Sequence, residues 1–83
     1  MRPSINRQNV RVATGSSDEE GCLFFADGRL IAVMVLLSDH SHGALRGSWF
    51  LEAGFGHWYS GHHETFPDLD VAETWLAQRL EAS

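Results

Sequence analysis

The chain has 83 residues, 43% of them hydrophobic and only two of them proline, which is the composition of one folded domain and excludes a disordered tail or a multidomain enzyme. Eleven carboxylates against six basic residues, all arginine, give a formal net charge of -5, a balance that repels phosphate backbones and argues against nucleic-acid binding. A domain this small buries only about 60% of its unfolded surface, so its own core leaves a thin stability margin.

Residues 1-21 read as an N-terminal arm. Val10 and Val12 flank Arg11 in the alternation of a short strand around residues 9-13, and a polar loop follows through Ser16, Asp18 and Gly21. Met1 to Arg7 lacks the apolar core of a signal peptide, and the longest apolar run, Leu30 to Leu37, is too short to span a bilayer. Absence of lysine suggests a GC-rich bacterial genome, and the expected location is the cytoplasm, with no membrane partner.

The antiparallel sheet is expected within residues 22-66. Asp27-Gly28 sits between two apolar runs, Cys22 to Ala26 and Arg29 to Leu37, the pattern of a two-residue hairpin turn with positive φ at both positions. Such a turn sets Ala26 opposite Arg29, Phe24 opposite Ile31 and Cys22 opposite Val33 on one side. Leu23, Phe25, Leu30, Ala32, Met34 and Leu36 fall on the other. Both sides are apolar, so the hairpin is expected at the centre of the sheet with a cover on each face.

After a polar loop at residues 38-44, Leu45 to Phe55 alternates as a strand, and the glycines at 54, 56 and 61 mark a bend. Residues 68-82 then read as a helix, with Asp68 as N-cap, Asp70 as the alternative, and an apolar stripe of Leu69, Ala72, Leu76 and Leu80 joined by Trp75. The expected fold is therefore α+β: an antiparallel sheet of three to four strands with one C-terminal helix packed across it, as a single domain over residues 1-83.

One helix, roughly 10-12 Å across, cannot cover both faces of such a sheet. The uncovered face points to a homodimer, with Phe24, Ile31, Val33 and Val35 as interface candidates. The strand order followed by a helix is similar in topology to small three-stranded sheet-plus-helix DNA-binding domains. Those domains read DNA from a basic sheet face, whereas the corresponding strands here offer only Arg29 and Arg46, so that function does not carry over.

Five histidines lie between positions 40 and 63, among glycines and aromatic residues. His57, Trp58, Tyr59, His62 and His63 are the candidates for a small-ligand site, since imidazoles are common ligands and amphipathic aromatics line pockets. The spacing matches no structural zinc motif, and no metal or cofactor is assigned. Cys22 lies in an apolar strand, as a buried small side chain does. No nucleophile elbow, phosphate loop or dinucleotide fingerprint is present, and no catalytic residue is assigned. The expected role is a small non-enzymatic interaction or regulatory module that recognises a protein partner or a small ligand. The alternative is a small-molecule or metal-binding protein built on residues 57-63.

Overall fold

The structure, a computed structural model, describes residues 4-61 and 63-82. The expected α+β architecture is present, with five strands in place of three to four. The strands are β1 (Ile5–Arg11), β2 (Glu20–Ala26), β3 (Arg29–Leu36), β4 (Trp49–Gly54) and β5 (Thr65–Phe66), and the helix is α1 (Leu69–Ala82). Neighbours in sequence are neighbours in the sheet, in the order β1-β2-β3-β4-β5, and all pairs are antiparallel.

The extra strands come from segments with little apolar signal. β1 reads Ile-Asn-Arg-Gln-Asn-Val-Arg, begins four residues earlier than expected, and takes its extended form from full pairing with β2, Ile5 opposite Ala26 through Arg11 opposite Glu20. As an edge strand its side chains are largely exposed, so the alternation at Val10 and Val12 marks only its C-terminal end, residues 9-11 of the strand expected at 9-13. β5 is a two-residue pairing against Trp49 and Phe50. The strand expected from Leu45 starts only at Trp49, because His40–Leu45 forms a 3-10 segment instead, capped by Asp39 accepting from the Ser41 amide at 2.8 Å.

At the hairpin, Asp27 and Gly28 both have positive φ and Ala26 faces Arg29, as the turn chemistry requires. Beyond this pair the register differs from expectation. Phe25 faces Leu30 but Phe24 faces Ala32, so Ile31 is an extra residue in β3. A bulge reverses the faces of every later residue in the strand. Cys22 consequently faces Met34, not Val33, and Leu23 faces Val33. A second bulge leaves Glu52 unpaired between Met34 opposite Leu51 and Val33 opposite Ala53.

The two bulges sort the side chains into a closed and an open face. The closed face gathers Cys22, Phe24, Ala32, Met34 and Leu51 with Phe66 and, from α1, Ala72 and Leu76. Asp68 caps the helix, its Oδ1 accepting from the Val71 amide at 2.8 Å. Arg7 of β1 fixes the helix from the far edge, with Nη2 at 3.0 Å from Asp70 Oδ1 and Nε at 3.2 Å from Glu73 Oε1. The Arg79 guanidinium lies over the Trp75 ring, 4.5 Å from its centroid. No helix among the described residues is long and apolar enough to cross a membrane.

Candidate functional site

The open face carries Val10, Leu23, Phe25, Leu30, Val33, Val35, Phe50 and Ala53, as the strand registers dictate. Its two ends differ. At one end the loop between β1 and β2 and the 3-10 segment fold over Val35 and Leu37, which are buried. Gly21 makes that cover possible: a Cβ there would overlap Val12 Cγ2, so the loop lies directly on the strand. At the other end Leu23, Phe25 and Val33 are half-buried and Leu30 is 36% exposed.

Asp18 holds the covered end together. It is the one buried charged residue among those described, 6% exposed, in a loop where its amide donates to Ser16 Oγ at 3.1 Å and its carbonyl accepts from Thr14 Oγ1 at 2.8 Å. Its Oδ1 accepts from the Ser38 amide at 2.8 Å, the Ser38 hydroxyl at 3.0 Å and the Asp39 amide at 2.9 Å, while Oδ2 accepts from His42 Nε2. This full set of donors favours the ionised form, and the Asp18 pKa is lowered to about 2, first by the His42 hydrogen bond, against the opposing effect of burial. Asp39 is also lowered to about 2, chiefly by the Ser17 hydroxyl and then by the Ser41 amide. Two loops far apart in sequence are thereby pinned through two carboxylates.

Between this bracket and β4 lies a cavity of about 410 Å³. Val35, Leu37, Leu45 and Phe50 supply its apolar lining, and Thr14, Ser16, Asp18, His42, Glu52 and Thr65 its polar groups. Because an ionised carboxylate only accepts, His42 Nε2 carries the proton shared with Asp18, which leaves Nδ1 of the neutral ring as an acceptor. A carboxylate that orients an imidazole is one part of acyl-transfer chemistry. Among the described residues, however, no hydroxyl or thiol hydrogen-bonds to the His42 ring. Ser16 Oγ is engaged with Thr14 Oγ1 and the Asp18 amide.

The residues singled out for a ligand site are not brought together. Trp58 is buried in the helix-side core, edge-on to Trp75 with centroids 5.9 Å apart, and Tyr59 packs beside it. Tyr59 lies over Gly54, where a Cβ would come within 2.6 Å of the ring. His57 is exposed, and His62 lies outside the described residues. His63 stacks on Phe50 with centroids 5.3 Å apart, and its Nδ1 is 2.8 Å from the Leu51 carbonyl oxygen. Trp58 and Tyr59 thus serve packing, since these large rings close the end of the core beyond β4. No group of three or more His, Cys, Asp or Glu side chains among the described residues is placed to hold a metal ion.

The interface candidates also separate. Phe24 and Ile31 belong to the helix-side core, Val35 is buried under the loop, and only Val33 remains on the partly open part of the sheet. The bulge at Ile31 is the reason, because it moves Val33 and Val35 away from Phe24 and onto the face that Leu23, Phe25 and Leu30 already share. Cys22 is fully buried, and burial pushes its thiol pKa up, as an inert packing residue requires. Sequence reasoning counted His42 among the five histidines but missed Asp18 and its pairing with His42. They are 24 residues apart in polar loops, and no spacing rule joins them. The chain matches no family model, no curated protein and no solved structure.

Proposed function

We propose that the protein is a small non-enzymatic interaction module of the bacterial cytoplasm that acts as a homodimer through the open part of its sheet. The observation that carries this reading is the apolar surface left uncovered at Leu23, Phe25, Leu30 and Val33, with Phe55 just beyond β4 50% exposed. Contiguous apolar surface of this kind is unusual on a small monomer. A second copy suits the patch because β1 borders it with Asn6 and Gln8, both uncharged, so along that edge a two-fold contact between sheets desolvates no ion. The bacterial and cytoplasmic parts of the reading rest on composition, in particular the use of arginine alone as the basic side chain.

Light scattering after gel filtration tests the dimer. The expected mass is about twice 9.3 kDa at micromolar concentration. Leu30→Glu and Phe55→Glu, at exposed positions, should shift it toward the monomer with an unchanged circular dichroism spectrum. A mass near 9.3 kDa for the unaltered protein throughout that range would refute the reading.

The alternative, a ligand or metal site at residues 57-63, draws no support from the described geometry, since Trp58 and Tyr59 face the core and His63 lies against Phe50.

A further inference from the structure

We propose that the cavity between the loop after β1, the 3-10 segment and β4 binds a small organic cation, an ammonium group carried on an apolar body. Its volume, about 410 Å³, lies within the range of small-molecule pockets, which combine a mostly apolar wall with a few placed polar groups. Val35, Leu37 and Leu45 form such a wall, and Phe50 adds an aromatic ring, the surface over which an ammonium is attracted by the ring quadrupole.

The polar groups specify the sign of the charge. No arginine among the described residues lines the cavity, and lysine is absent from the chain. Arg46, the basic residue of the 38-48 segment, is committed elsewhere, its Nε donating to the Ser38 carbonyl at 2.9 Å, and Arg11 is paired with Glu19. Two carboxylates do line it. Asp18 is internally satisfied and leaves a single negative charge on the Asp18-His42 pair while the ring is neutral. Glu52 is exposed and has no hydrogen-bond or ion-pair partner among the described residues.

Glu52 is also the bulge residue of β4. Bulges re-aim side chains beside functional sites, and this one leaves the carboxylate among the lining residues of an apolar cavity. The Thr65 hydroxyl, and Nδ1 of His42 whenever its ring is neutral, add acceptors for the remaining N–H bonds of an ammonium. A carboxylate ligand would meet like charge and no cationic partner.

The test is an amide NMR titration of the intact protein at neutral pH with 2-phenylethylamine, 2-phenylethanol and phenylacetate as probes of one apolar body with three heads. The amine should shift the amides of Thr14, Ser16, His42, Phe50 and Glu52 in a saturable manner, and bind more tightly than the alcohol and the acid. Glu52→Gln, an exposed change, should weaken the amine by about threefold to fivefold, the worth of one solvent-exposed ion pair, and leave the alcohol unaffected. Absence of saturable shifts at these residues, equal binding of the acid, or an amine affinity untouched by Glu52→Gln would each overturn the proposal. These residues lie apart from Leu23, Phe25 and Leu30, so the titration is read independently of the oligomeric state.

Discussion

Asp18 and His42 meet across 24 residues of sequence, the His42 Nε2–H donating to Asp18 Oδ2 while Asp18 Oδ1 takes three further donors from Ser38 and Asp39. This one carboxylate ties the loop after β1 to the segment after β3, and the pair forms one wall of the cavity. An unsatisfied buried donor is costly, so the worth of Asp18 lies in what its removal would leave unpaired.

Asp18→Ala should therefore lower the thermal midpoint and release the loop. The local readout is hydrogen exchange, where the Ser38 and Asp39 amides should lose protection while those in the centre of β2 and β3 keep theirs. Unchanged exchange at Ser38 and Asp39 would contradict the bracket.

Acid stability follows from the two depressed carboxyls. Asp18 and Asp39 both drop from an ordinary 3.8 to about 2 on folding. Below the unfolded value the unfolded chain binds more protons than the native one, so their stabilising contribution is complete above pH about 4 and is lost as pH falls toward about 2. An acid titration by circular dichroism should show stability declining through that window, and Asp18→Asn together with Asp39→Asn should flatten the slope there.

Adjacent phenylalanines on opposite faces should behave differently. Phe24 is fully buried under the helix, so Phe24→Ala should cost about 3-5 kcal/mol, a large share of the roughly 5-15 kcal/mol that holds a small domain together. Phe25, half-buried on the open face, should cost much less as alanine and should weaken self-association instead. Urea midpoints for the two variants, read with their masses in solution, check both the helix-side core and the open face.

The Asp68 cap is the local anchor of α1. Asp68→Ala should destabilise the protein by about 1 kcal/mol, measured by urea unfolding, whereas Asp68→Asn should retain most of that contribution because asparagine also caps.

Cys22 should resist modification. With its side chain fully buried and its thiol pKa raised by desolvation, reaction with a thiol reagent should be slow in native buffer and rapid once urea unfolds the chain. A fast native reaction would place the thiol at the surface.

By itself the sequence determined what local chemistry decides. The Asp27-Gly28 turn follows from two residues that tolerate positive φ, and the helix from Asp68 and a stripe ending at Leu80, so the hairpin, the helix and the α+β class were all legible. Tertiary structure decided which face each side chain occupies. The bulges at Ile31 and Glu52 leave no mark in the alternation of Leu30 to Leu37 or Leu45 to Phe55, yet each reverses the strand beyond it. β1 exists because β2 offers a partner for its backbone, not because its own residues alternate. The Asp18-His42 pair, and the cavity it walls, likewise arise where two polar loops converge on one end of the sheet, a long-range encounter that no spacing along the chain encodes.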